Sequence, residues 1–257
     1  RHPVRLDIAG SVESIAQIDA ELLYRCYRTF YRPENMALCV AGNVEPDRVF
    51  SAVETQLRPC EAAGRVRNLF QDEPGSVLQK RTEQHFPVAV PLFELGFKGN
   101  AEARATSRQQ AETEILLELL ASESSALYRR LLDRGWINSS FSCEFFEGPG
   151  YSAILFGGES HEPDAVAEEI KAEIARMRRD GIDRDAFECA RRTVYGRAVA
   201  MFGNVGAIAN GLAEAAFSGR RFGDIVPLAL QVTREDVLRR LSEQLDEENS
   251  ALSVVCP

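Results

Sequence analysis

The sequence predicts an α+β fold in which helices pack on a mostly antiparallel sheet, and three observations predict it. From residue 77 onward, short apolar or alternating runs come in neighbouring pairs, separated by blocks of helical periodicity rather than by strict strand-helix repeats. Two of those runs flank Gly148-Pro149-Gly150, the signature of a hairpin turn. Four helical stretches then precede a closing strand-like run, Ser250 to Val255.

In chain order, Leu22, Leu23, Cys26, Tyr27 and Phe30 recur at helical spacing from Asp19 to Tyr31, with Asp19 as the capping candidate. Pro33, Glu34 and Asn35 break that helix. The apolar run Met36 to Gly42 then reads as a buried strand. Pro46 opens a second helix through Val49, Val53 and Leu57, stopped by Pro59. Residues 61–75 lose all periodicity and are too polar and too long for an ordinary loop, so they are expected to be a linker. Beyond it, Val77 to Glu83 and Val88 to Lys98 are expected as strands, with Pro87 and Pro91 confining the second to an edge or a bulge. Helices are expected over about Glu102 to Ala121, with Ile115, Leu116, Leu119 and Leu120 inward, and over Ser124 to Leu132. Ser139 to Glu147 and Tyr151 to Phe156 form the hairpin. The four later helices are Pro163 to Asp180, Asp183 to Phe202, Val205 to Phe217 and Arg234 to Leu245.

Composition narrows the function. With 39 acidic and 30 basic side chains in 257 residues, the formal charge is −9, which excludes a generally basic nucleic-acid binder. No apolar run reaches the roughly 20 residues that a membrane-spanning helix needs. The opening Arg1-His2-Pro3-Val4-Arg5 has neither a start methionine nor a signal core and reads as the interior of a longer protein. Six cysteines at 26, 39, 60, 143, 189 and 256 are too far apart for Cys-x-x-Cys motifs and are expected as free thiols, pointing to a cytoplasmic setting.

Candidate chemistry is sparse. Zinc hydrolysis needs two ligands on one helix face and a nearby carboxylate, hence His-Glu-x-x-His or its inversion, and neither pattern occurs. The segment His161-Glu162-Pro163-Asp164-Ala165 has alanine in the second ligand place and reads as a helix start. Serine-elbow, phosphate-loop and dinucleotide glycine patterns are absent too. Paired carboxylates at Glu168-Glu169 and Glu247-Glu248 read as solvated faces. Arg176, Arg178, Arg179, Arg191 and Arg192, flanked by acids, read as ion-paired surface.

Several blocks together resemble one family. They are His2-Pro3-Val4-Arg5 through Gly10 to Ile15, Tyr31-Arg32-Pro33-Glu34-Asn35-Met36 through Gly42, Leu127-Tyr128 through Gly135-Trp136-Ile137, and Ala190-Arg191-Arg192 through Gly196-Arg197 with Ile208-Ala209. Their order is similar to that of the M16 (insulinase and pitrilysin-like) zinc metallopeptidases, in the bacterial, processing-peptidase-like branch.

The resemblance implies an M16-type layered module at 76–257, the companion module, preceded at 1–60 by the tail of the similar, zinc-bearing module. It implies that the zinc motif precedes Arg1, so that no cofactor, metal ligand or catalytic residue lies here and this stretch alone is inactive. The function it implies is that of the companion wall of a peptide-binding chamber, the alternative being an inactive scaffold that binds a partner protein. Partners implied are a peptide or unfolded protein substrate, a second M16-like subunit and further copies of the chain. Aligned on Gly135, the family's substrate-steadying Arg and Tyr fall at Leu131 and Asn138, with Arg134 and Phe141 nearby. Arg134, Asn138 and Phe141 are therefore the substrate-binding candidates. A strand edge near Val88 to Phe97 is expected to receive extended substrate by strand addition.

Overall fold

The computed structural model describes residues 1–57, 66, 73–99 and 104–257, so most of the expected linker lies outside the described residues. In chain order the helices are α1 (Val12–Ile15), α2 (Ala20–Phe30), α3 (Pro46–Gln56), α4 (Ser107–Ala121), α5 (Ala126–Asp133), α6 (Pro163–Asp180), α7 (Arg184–Ala200), α8 (Val205–Ser218), α9 (Ile225–Gln231) and α10 (Arg234–Gln244). The strands are β1 (Arg81–His85), β2 (Leu92–Lys98), β3 (Ser142–Gly148), β4 (Tyr151–Glu159) and β5 (Ser250–Cys256). Contacts divide the chain into two compact units, Arg1–Asp72 with Met201–Phe222, and Glu73–Ala200 with Gly223–Pro257. No helix among the described residues is long and apolar enough to cross a membrane.

The first unit is helical, and local chemistry starts each helix. The Asp19 carboxylate accepts from the Leu22 N–H at 2.8 Å, Pro46 supplies the first residue of α3, and Asn204 Oδ1 accepts from Ala207 N–H at 2.9 Å to open α8. Gly219, in the left-handed region at φ +74°, ends α8. None of the unit's α-helices has a buried residue. The apolar stripe of α2 is well formed yet uncovered, with Leu23 60% and Tyr27 58% exposed. The strand expected over Met36 to Gly42 does not form. A strand needs a hydrogen-bonded neighbour, the five strands among the described residues all lie in the second unit, and Leu38 is left 69% exposed.

The second unit is the expected α+β layer. Its sheet order is β1-β5-β2-β4-β3, antiparallel at every pairing except the parallel β1–β5 contact. Alternation turns Phe93, Leu95 and Phe97 of β2, Ile154 and Phe156 of β4, and Leu252 and Val254 of β5 into one core with α4 and α6. Leu92 to Lys98 thus lies in the middle of the sheet, paired on both sides. This corrects the expectation of a receiving edge there. Pro91 ends the extended run before the strand begins, and the sheet's edges are β1 and β3.

Helix α4 is the hub, touching α5, α7, α9, α10 and β3. It is buried nearly all round, Glu112, Thr113 and Glu118 included. Each of those polar groups is answered: Glu112 by Arg108 at 3.2 Å and Arg239 at 3.0 Å, Thr113 Oγ1 by the Arg240 Nε–H at 2.9 Å, and Glu118 by Arg197 at 2.7 Å. Arg108 and Arg239 also reach Asp236 in the capping box of α10. Burial works against the Asp236 carboxylate, but hydrogen bonds from the Thr233 N–H and hydroxyl and from Arg239 outweigh it and hold its pKa at about 2, below the ordinary 3.8. Helix α9, unforeseen because Pro227 interrupts it, tolerates that proline as its third residue, where the N–H has no partner within the helix anyway.

Two outcomes follow for stability. Leu131→Ala, which empties a fully buried site, should cost ~2–5 kcal/mol in denaturant unfolding. For Asp236, the folded pKa lies below the unfolded one, so its stabilisation is complete above 3.8 and fades as pH falls toward about 2. Asp236→Asn should lower the melting temperature at neutral pH and narrow the gap from wild type across that acid window. An unchanged gap would show that the carboxylate is not the titrating group.

Candidate functional site

The candidate residues lie on the turn that joins α5 to β3. Ser125 Oγ accepts from the Tyr128 N–H at 3.1 Å to begin α5. Gly135, at φ +68°, ends it, with Gly135 N–H donating to Leu132 O at 2.9 Å and Trp136 N–H to Leu131 O at 3.0 Å. From there the three candidates go to three different neighbours. Arg134 lies over the Trp136 ring at 4.7 Å and pairs with Glu169 of α6 at 2.8 Å. Asn138 donates from Nδ2 to Glu159 Oε2 at 2.7 Å while its Oδ1 accepts from Ser140 N–H at 2.8 Å, which binds the turn to the end of β4. Phe141 is buried at 6% exposure, stacked on Phe93 with ring centres 6.4 Å apart and tilted against Tyr128 at 6.0 Å. Leu131, at the other aligned place, lies fully in the core.

The charges beneath this turn form a built network. Arg130 reaches Glu169 at 3.0 Å and Glu173 at 2.6 Å, and Arg176 also pairs with Glu173. Burial opposes the Glu169 and Glu173 charges, yet the arginines keep both carboxyls below their usual range. Glu169 is therefore a clamp between α5 and α6 rather than part of a solvated face. Arg179 pairs with Asp180 and Arg191 with Glu188, in keeping with the ion-paired surface expected there, whereas Arg178 donates to the Leu245 backbone carbonyl at 2.6 Å.

The sheet face turned away from the helices carries a second set of groups. Register places Leu92, Glu94, Gly96 and Lys98 of β2 beside Glu159, Gly157, Leu155 and Ala153 of β4. Ser142, Glu144 and Phe146 of β3 lie next to Gly157, Leu155 and Ala153 in turn. Lys98 is neutralised by Glu73 at 2.7 Å and Glu159 is held by Asn138. Glu94 and Glu144 are both exposed as residues, yet partial desolvation of the Glu94 carboxyl, together with the Glu144 charge, pushes it up. Nothing in the linear sequence marks these two as neighbours; only register across β4 does.

No group of three or more His, Cys, Asp or Glu is placed to hold a metal ion among the described residues. His2 accepts from the Val4 N–H, His85 lies at the end of β1 beside Pro257 O, and His161 precedes α6, so this donor set does not fit a zinc centre. Burial pushes the Cys143 thiol up to about 12, leaving it un-ionised at neutral pH and a poor nucleophile.

Comparison with known proteins agrees with this picture. Residues 17–194 match the family model described as the peptidase M16 inactive domain. The whole chain is 32% identical to 61% of a Bacillus subtilis (strain 168) protein named as an uncharacterized zinc protease. It is likewise 32% identical to 62% of an M16-like peptidase structure from Alicyclobacillus acidocaldarius, with a TM-score of 0.89 over all of this chain. In fold alone it is similar to a chain of complex III2 from Candida albicans, at 14% identity and a TM-score of 0.79, over 98% of this chain and 62% of that one. The chain spans about three fifths of these relatives. An inactive-domain match over most of the sequence, and likeness along the whole of this chain to part of a protein named as a zinc protease and of an M16-like peptidase structure, lead to one conclusion: the chain belongs to the M16 peptidase family.

Proposed function

We propose that this chain is the non-zinc portion of an M16 metallopeptidase and that its second unit forms the companion wall of a peptide-holding chamber. The observation that carries the reading is the sheet face of β2, β4 and β3 opposite the helix-packed core: among the described residues it leaves Leu92, Glu94, Glu144 and Phe146 exposed, and the Asn138 turn borders it. Peptide or unfolded protein is the substrate on this reading. Any zinc chemistry belongs to a part of the parent outside this chain. The module order is 1–60 as the tail of the zinc-bearing module, 61–75 as linker and 76–257 as companion. Arg134 and Asn138 reach solvent from the turn, as Ser139 and Ser140 do, and Phe141 holds that turn in place from the core.

Exposed apolar residues of the first unit, Leu23, Tyr27 and Phe30 among them, support association with a second M16-like subunit or another copy. Five free thiols among the described residues fit a reducing, cytoplasmic setting. A second reading, an inactive scaffold that binds a partner protein, is favoured by Leu131: the place where the resemblance puts a substrate-steadying cation is buried aliphatic core.

Zinc content and peptide cleavage by the intact parent, assayed with and without a paired subunit, separate the two readings. In an active parent, Asn138→Ala should lower kcat/KM by about five- to tenfold, the value of one or two hydrogen bonds, with at most ~1 kcal/mol lost in stability. Stoichiometric zinc with a kcat/KM unmoved by Asn138→Ala would remove that residue from the peptide wall. A zinc-free, inactive parent would favour the scaffold.

A further inference from the structure

Two residues at the end of β4 hold the candidate turn in one shape. Asn138 Nδ2 donates to Glu159 Oε2 at 2.7 Å, and the Glu159 N–H donates to Ser140 Oγ at 2.9 Å. The Ser140 N–H closes the ring by donating to Asn138 Oδ1 at 2.8 Å. Gly158 supplies the room. A Cβ on it would meet Phe141 Cα at 3.0 Å and Phe141 N at 3.2 Å, tighter than Cβ atoms normally approach a backbone. Neither side gives way easily: Gly158 is paired with Phe93 of β2, and the Phe141 ring is buried against Phe93 and Tyr128. The Asn138 side chain is exposed, yet both ends of its amide are engaged, which leaves one N–H to give.

We infer that Gly158 and Glu159 are positioning residues: they act through Asn138, aiming its remaining N–H at a peptide carbonyl before the peptide arrives. An unheld asparagine on a surface turn would have to be ordered on binding, and here the ring has removed that freedom beforehand. Glu159 serves as a hydrogen-bond acceptor and backbone donor rather than as a charge, because its partners in the turn are an amide N–H and a hydroxyl. Glutamine in its place keeps both roles. The inference rests on the peptide-wall reading and adds what fixes its turn.

The test uses the full 257-residue chain and labelled casein, an unfolded protein, with binding read by fluorescence anisotropy. Asn138→Ala should weaken binding, and Glu159→Ala should weaken it about three- to fivefold, the value of one hydrogen bond. Glu159→Gln should bind as wild type does. Glu159→Ala added to Asn138→Ala should bring no further loss, since a positioning residue has no effect once the group it positions is gone. In nitrogen–proton NMR spectra the Asn138 side-chain amide signals, identified by their loss in Asn138→Ala, should move in Glu159→Ala and stay in Glu159→Gln. Gly158→Ala should weaken binding and move the same signals; if it melts well below wild type, the Glu159 variants decide alone. No loss in Glu159→Ala, an equal loss in Glu159→Gln, or additive losses in the double variant would overturn the inference and leave the peptide-wall reading standing. Casein binding untouched by Asn138→Ala would remove the turn from the wall and the inference with it, and no binding by the wild-type chain would sink both.

Discussion

Helix α4 cannot be buried on all sides unless its polar groups are answered, and the second unit is arranged around that requirement. Glu112, Thr113 and Glu118 face inward among leucines and isoleucines, where an unpaired carboxylate would cost several kcal/mol. Arg239 and Arg240 come from α10, Arg197 from α7 and Arg108 from α4 itself. The clamp thus dictates which faces of α7 and α10 meet α4. The apolar core of Leu95, Phe97, Ile115, Ile154 and Phe156 supplies the driving force, and the ionic contacts choose one arrangement of helices over it.

What was legible in the sequence was whatever the backbone decides locally. Helix α6 begins and ends where expected because Pro163 can occupy a first turn and Gly181, at φ +79°, can leave one. The hairpin was legible for a similar reason, its turn carried by Gly150 at φ +83°. What depends on distant partners was not. Strand β1 is exposed along its whole length, has no alternation to read, and starts four residues later than expected because pairing with β5 sets its limits. Met36 to Gly42 has a strand's composition but, among the described residues, no strand beside it.

The same division holds at the site. Gly135 announces a turn, so the stretch containing Arg134, Asn138 and Phe141 could be picked out, but their separate destinations depend on α6, β4 and the core. Glu94 and Glu144 lie fifty residues apart in sequence and share a face only because β4 is placed between their strands. Glu169 looked like one of a solvated pair, and its clamp to Arg130 and Arg134 required the packing of α5 on α6.

The placement of β5 between β1 and β2 has a consequence for how the molecule is made. The strand that joins both sides of the sheet is the last of the five to leave the ribosome, after α6 through α10. Until it emerges, β1 has no ladder and one side of β2 stays unpaired, so the nascent chain carries an open seam while more than half of the unit is already synthesised. Assembly of this layer is therefore completed late, by insertion rather than by sequential growth, and the unfinished seam is the surface a chaperone would have to shield.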